Sequence, residues 1–367
     1  MTAGSAVLID GAGGLALGVA WLLGAPRWAV ATAQSAILRA WMSIYVGHME
    51  LYGGMTLAVQ GDPYVPGESA LVVCNHRSWT DTIVLYSLAR QVGAHGDVKF
   101  FTKRSLLWFP VYGVAGVLCN VCLFIRRDMT AAAGAFAGGG DVAGVAAAAK
   151  LGESPASGGG GGAGAAAVQP PAAGRFPPFW LINYLEGTRL TPAKVAQSQA
   201  FAASRGLPVL THVLLPRTKG FTASAAALRG AATAVYDVTI GYGPPPGLAT
   251  AAGEGTGALT PSFNSLLYTA SKTPRVLHVF QRRIPMEEVP SDAAALTDWL
   301  YALYAAKDAR LAHLAAHGSF EGPPVAWTRI TWRRFFGCLA IFWAAVGVVL
   351  CVVVAALRLL GGTGGGG

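Results

Sequence analysis

Ala70-Leu71-Val72-Val73-Cys74-Asn75-His76-Arg77-Ser78-Trp79-Thr80-Asp81 reads as a strand, a short polar loop and the start of a helix. Five consecutive apolar residues fit a strand buried on both faces, the habit of a parallel sheet covered by helices. From Thr80 to Arg90 the pattern turns helical. The loop between them carries His76, with Asp81 beyond it and four residues in between. An imidazole can take a proton from an alcohol near neutral pH, and a carboxylate nearby can fix its tautomer and stabilise the cation that forms.

Outward from this unit the alternation continues. Short β-branched runs recur at Val98–Thr102, Val117–Ile125, Phe179–Tyr184, Pro208–Leu215, Ala234–Tyr242 and Arg275–Arg282, and helical patterns at Pro192–Arg205 and Asp292–His313. Such alternation argues for an α/β sheet of two or three layers; the expected fold is α/β, a central mixed sheet flanked by helices. Two segments interrupt it. Residues 131–174 are dominated by alanine and glycine, and residues 244–257 form a second, shorter tract. Little side-chain area can be buried there, so both read as flexible insertions. The run Gly158–Gly162 lacks the Gly-Lys-Ser/Thr ending of a phosphate-binding loop.

The chain is 53% hydrophobic and 12% charged, the latter about half the usual fraction, and its net charge is +9. This balance suggests membrane contact and an anionic partner. Nucleic acid is a poor fit, because no basic helix, finger or aromatic-basic sheet motif is present. The five cysteines are odd in number and scattered among apolar residues, which argues against a disulfide framework. Cys119-Asn120-Val121-Cys122 has no second pair, so neither it nor any other cluster marks a metal site.

The ends are more apolar than the middle. Val7–Leu23 and Trp28–Val46 could each span a bilayer, and the second could equally lie in the interface. Phe335–Leu357 is almost unbroken apolar and follows Arg329, Arg333 and Arg334. The expected organisation is membrane-anchoring helices in residues 1–60, an α/β domain in 61–328 and a C-terminal membrane helix in 329–360. The basic flanks face the central region, which places that region in the cytosol.

Three further segments accompany the histidine loop: Leu123-Phe124-Ile125-Arg126-Arg127, Leu185-Glu186-Gly187-Thr188-Arg189 and Leu215-Pro216-Arg217-Thr218-Lys219. In this order the four resemble the motifs of the glycerophospholipid acyltransferases, most of all the eukaryotic 1-acyl-sn-glycerol-3-phosphate acyltransferases. The stretches Phe109–Gly113, Ser198–Ala202, Tyr236–Thr239 and Trp299–Asp308 add to the likeness. The resemblance implies that His76 is the general base and Asp81 its orienting carboxylate, with no enzyme nucleophile. It implies that Asn75, Arg126, Arg127, Glu186, Gly187, Thr188, Arg189 and Pro216 surround the substrate. The two arginines, Thr188 and Arg189 would hold the lipid phosphate, Glu186 would order its loop or contact the glycerol, and Pro216 would shape the acyl wall.

Tyr184-Leu185 stands where the family commonly carries Phe-Pro. The implied partners are acyl-CoA, a lysophospholipid and the bilayer, with no further cofactor, and the implied place is the endoplasmic reticulum membrane. Another lysophospholipid, such as lysophosphatidylinositol or lysocardiolipin, remains open as acceptor. So does a non-catalytic phospholipid-binding protein on the same fold. A serine lipase is excluded, since no Gly-x-Ser-x-Gly elbow occurs.

Overall fold

The computed structural model describes residues 27–103, 122–125, 178–242, 262–344 and 347. The Ala/Gly tract 131–174, the tract 244–257, Val7–Leu23, Cys119, the pair Arg126 and Arg127, and Phe335–Leu357 from residue 345 onward (save 347) lie outside the described residues.

The described strands form one sheet. In chain order they are β1 (Met55–Gly61), β2 (Ala70–Cys74), β3 (Val98–Lys103), β4 (Cys122–Ile125), β5 (Trp180–Asn183), β6 (Ala234–Gly241), β7 (Arg275–Pro285) and the two-residue β8 (Pro324–Val325). Their spatial order is β4-β3-β5-β2-β6-β7-β1-β8. Strands β4, β3, β5, β2 and β6 run parallel; β7 reverses against β6, β1 runs parallel to β7, and β8 is antiparallel at the edge. The sheet is therefore mixed, as expected.

Helices cover both faces. They are α1 (Arg27–Leu51), α2 (Thr80–Gln91), α3 (Pro192–Ser204), α4 (Thr218–Leu228), α5 (Phe263–Tyr268) and α6 (Ala293–His317). One core joins Leu38, Met42 and Met49 of α1 and Ile83, Val84 and Leu88 of α2 to Val72, Tyr236, Val238 and Leu277 of the sheet. The other joins Phe221 and Leu228 of α4 and Leu300, Leu311 and Leu314 of α6 to Leu71, Val73 and Val235. Strands β2 and β6 are buried along their whole length, which explains the continuous apolar sequence of β2. A Cβ at Gly241 would lie 2.0 Å from Leu314 Cδ2, so α6 can approach β6 only over a glycine.

Three elements differ from the sequence expectation. Among the described residues no helix is long and apolar enough to cross a membrane. The Trp28–Val46 stretch instead lies within α1, which packs against α2, β1 and α5. Its apolar residues Leu38, Met42, Val46 and Met49 recur at helical spacing and are buried in the first core, not offered to lipid. The expected boundary at residue 60 falls within β1, which pairs along its length with β7. Finally, Pro208–Leu215 is not a strand. The Asp308 carboxylate accepts the backbone N–H groups of Thr211, His212 and Val213 at 2.9, 2.5 and 3.1 Å, and Ser198 Oγ accepts that of Leu215 at 3.0 Å. Side chains from α3 and α6 thus satisfy donors that a sheet neighbour would otherwise have taken.

Candidate active site

Parallel strands deliver loops to one end of the sheet, beyond their carboxyl termini, where ligands of open α/β folds bind. The loop after β2 holds His76, and α2 begins at Thr80. His76 Nδ1 lies 2.9 Å from Asp81 Oδ2. The same oxygen accepts the backbone N–H groups of Arg77 and Ser78 at 2.7 and 2.8 Å. Asp81 sits in the first turn of α2, fully buried, and its other oxygen accepts the hydroxyl of Tyr242. A carboxylate surrounded by donors accepts the Nδ1 proton, which leaves the Nε2 lone pair of His76 as the available base.

The backbone of His76 is pinned from the next loop. Its N–H donates to Glu186 Oε1 at 3.0 Å, and its carbonyl accepts from Leu190 N at 2.9 Å. That loop leaves β5 through a turn closed by Gly187 N to Tyr184 O at 3.0 Å. Gly187 has φ +66°, and a Cβ there would meet the Arg217 side chain at 3.1 Å, so glycine is needed on both counts. The Tyr184 ring stacks on the His76 imidazole, centroids 4.1 Å apart, while its hydroxyl lies 3.2 Å from Thr82 Oγ1. The third loop is tied in turn to the second, since Arg217 N donates to Leu185 O at 2.8 Å. Pro216 is buried beside that tie.

Glu186 is buried, with Oε2 lacking any hydrogen-bond partner. Burial drives its carboxyl up to about 8, against the N–H groups of His76 and Leu214, which favour the charged form. Near neutral pH it is therefore mainly a neutral acid. Cys74 also lies below the site, and burial holds its thiol well above the usual range, which leaves it unreactive. Beneath both, the ammonium of Lys307 is completely buried; it pairs with Asp237 and donates to Val73 O at 3.1 Å and Val238 O at 2.6 Å. Arg310 Nη1 pairs with the other Asp237 oxygen at 2.9 Å.

The structure thus brings together His76, Asp81, Glu186, Gly187 and Pro216. Thr188 is half-exposed and its hydroxyl accepts from Lys194 Nζ at 3.0 Å; Arg189 is exposed, with its guanidinium 5.8 Å from the Trp79 ring. Both lie open at the rim. Asn75, expected among the substrate contacts, turns its side chain to the neighbouring strand. Its amide is buried and fully engaged: Nδ2 donates to Ile240 O at 2.9 Å and Oδ1 accepts from Ile240 N at 2.8 Å. It extends the β2–β6 pairing and sets where the histidine loop departs. Tyr242 was invisible to motif reading. A signal existed, because residue parity along Ala234–Tyr242 puts it on the face that packs on α2.

Residues 56–149 match the family described as Acyltransferase, and residues 269–343 match Acyltransferase C-terminus. Two separate stretches of the chain are thus similar to acyltransferases. Among curated proteins it is 27% identical to the probable 1-acyl-sn-glycerol-3-phosphate acyltransferase 5 of Arabidopsis thaliana, over 82% of this chain and 68% of that protein. It is 30% identical to 1-acyl-sn-glycerol-3-phosphate acyltransferase 2 of the same plant, over 70% of this chain and 54% of that protein. Against human 1-acyl-sn-glycerol-3-phosphate acyltransferase gamma it is 29% identical, over 72% and 58%. The chain thus spans between about half and two thirds of the length of these relatives. No solved structure matches the chain. The acyltransferase match takes in β1 through the histidine loop and β4, so the family's own boundaries agree with β1 belonging to the sheet domain.

Proposed function

We propose that this chain is an acyltransferase, one that transfers a fatty acyl group from acyl-CoA to the free hydroxyl of 1-acyl-sn-glycerol-3-phosphate, giving phosphatidic acid. The observation that carries this is the His76–Asp81 pair, held 2.9 Å apart beside the Gly187-Thr188-Arg189 turn. A base next to an open, basic rim suits an alcohol that bears a phosphate. The relatives' names supply the acceptor class.

His76 Nε2 takes the hydroxyl proton as the oxygen attacks the thioester carbonyl. Asp81 stabilises the imidazolium through Nδ1. The tetrahedral intermediate collapses: the carbon–sulfur bond breaks, the ester carbon–oxygen bond remains, and the thiolate of CoA recovers the proton from His76. No enzyme acyl ester forms. Arg189 and Thr188, with Arg126 and Arg127 after β4, hold the phosphate.

The domain works at the cytosolic face of the endoplasmic reticulum membrane, anchored through Val7–Leu23 and Phe335–Leu357. In support, residues 332–344 are helical and expose Trp332, Phe336, Ile341 and Trp343 next to Arg329, Arg333 and Arg334. Aromatic side chains with flanking arginines suit the headgroup region. The test is acyl transfer by the purified full-length protein in detergent, with a panel of lysophospholipids and acyl-CoA lengths. Acylation of lysophosphatidate, with His76→Ala slower by about a hundredfold to ten-thousandfold, is the expected result. Near-normal turnover by a folded His76→Ala variant overturns the mechanism, and a strong preference for another lysophospholipid overturns the acceptor.

A further inference from the structure

We infer that Tyr242 is a positioning residue of the catalytic pair, one that fixes Asp81 so that a single carboxylate oxygen faces His76. The inference rests on the base role proposed for His76. Strand β6 runs on beyond the end of β2, and the double hydrogen bond between Asn75 and Ile240 continues the register past Cys74. Two residues further on, alternation returns the side chain to the same face, and Tyr242 joins Ile240 in the core packed on α2. Its hydroxyl ends at Asp81 Oδ1, in the first turn of that helix. The sheet and the helix are thereby joined at the carboxylate whose other oxygen faces the base.

The two oxygens of Asp81 are unequally served. Oδ2 takes His76 Nδ1 and the N–H groups of Arg77 and Ser78, whereas the bond from Tyr242 serves Oδ1. Asp81 is shut away from water, so loss of the phenol leaves Oδ1 without that donor in a setting where water cannot replace it. The carboxylate then either rotates away from His76 or becomes more basic toward it. Both disturb the base, the first by freeing the ring and the second by holding the imidazolium more tightly. The other groups facing this pair stay in place: Tyr184 and Glu186 from the loop after β5, Cys74 at the end of β2, and Lys307 from α6. A phenylalanine at 242 keeps the ring volume and changes only the bond.

The experiment is a double-mutant cycle on the full chain, Tyr242→Phe and Asp81→Asn singly and together, with His76→Ala as reference. Circular dichroism and a thermal melt establish that each variant folds. Tyr242→Phe should lower kcat roughly tenfold to a hundredfold, with KM for lysophosphatidate within about threefold. The acid limb of its kcat/KM profile should move to higher pH as Asp81 gains basicity. In the Asp81→Asn background the same change should cost less than about threefold, because its effect passes through Asp81. A folded Tyr242→Phe enzyme with unaltered kcat and pH profile overturns the assignment, and so does an equal loss in both backgrounds. If His76→Ala is itself active, the base reading fails instead, so the two failures are told apart.

Discussion

Glu186 offers a measurement that reads the electrostatics of the site directly. Its carboxyl is buried, one oxygen accepts the N–H of His76, and the other has no partner. An unfolded glutamate ionises near 4.5, and in the fold this one ionises near 8 because burial penalises the charge. Between those values the unfolded chain gives up a proton that the native state keeps. Stability from this group is therefore complete below 4.5 and is lost as pH rises toward 8. The interval from 4.5 to about 8 is 3.5 pH units, or about 5 kcal/mol in full, of which on the order of 3 kcal/mol falls between pH 5 and pH 8. Glu186→Gln keeps an oxygen that can accept from His76 and removes the titration. Urea unfolding of both proteins in the same detergent, at pH 5, 6.5 and 8, isolates the group, since all other titrations cancel in the difference. The variant should gain on the wild type by on the order of 3 kcal/mol from pH 5 to pH 8, while retaining most acyl transfer. A difference that stays flat across this range would mean that Glu186 is charged throughout, and would refute the burial reasoning.

Other perturbations probe neighbouring parts. Asp81→Asn presents an amide to His76 and to the N–H groups of Arg77 and Ser78, favouring the wrong tautomer; single-turnover acyl transfer should slow by roughly a hundredfold to ten-thousandfold, with the fold intact. Arg189→Ala should raise KM for lysophosphatidate more than about tenfold while kcat changes little; an unchanged KM would assign this exposed arginine to its contact with Trp79 alone. Asp237→Ala leaves the buried Lys307 ammonium unpaired and should lower stability by about 3–5 kcal/mol in urea, whereas Asp237→Leu with Lys307→Met should recover most of the loss. Replacing residues 131–174 with a short Gly/Ser linker should leave activity largely intact, and loss of folding or catalysis would make that tract a structural or regulatory element.

The geometry of the candidate site was legible where it depends on residues close in sequence. His76 and Asp81 span a loop and one helical turn, and Tyr184 to Arg189 span one turn, so local spacing carries their geometry. Sheet strands β2 and β5 were legible because they are almost entirely apolar, and β6 and β7 because β-branched and aromatic residues recur along them. What escaped depends on tertiary partners. Strand β1 alternates buried and half-exposed residues next to an apolar helix, so composition alone assigned the pair to the membrane. Pro208–Leu215 has strand composition, but Asp308, nearly a hundred residues later, takes its donors. Asn75 looks like a ligand and is a clip, because its partner Ile240 is brought alongside only by the β2–β6 register. Tyr242 became a neighbour of Asp81 for the same reason.

The charge pattern around His76 explains why two carboxyl groups can stand close to one imidazole without competing. Glu186 accepts from the backbone of His76 and Asp81 from its ring. If both were charged in this buried setting, the imidazolium formed during transfer could be drawn toward either, and a charge with no partner at Oε2 would carry a heavy desolvation cost. Burial keeps Glu186 neutral near pH 7, so the negative charge facing the ring is concentrated at Asp81, on the Nδ1 side. On the mechanism proposed above, that asymmetry directs the Nδ1 proton to Asp81 and Nε2 to the substrate. It also separates the functions of the two acids. The neutral one ties three loops together through His76 and Leu214, and the other stabilises the cation. On the proposed mechanism such a site needs no nucleophile of its own: the buried thiol of Cys74 is held protonated below it, and the attacking oxygen arrives with the lipid.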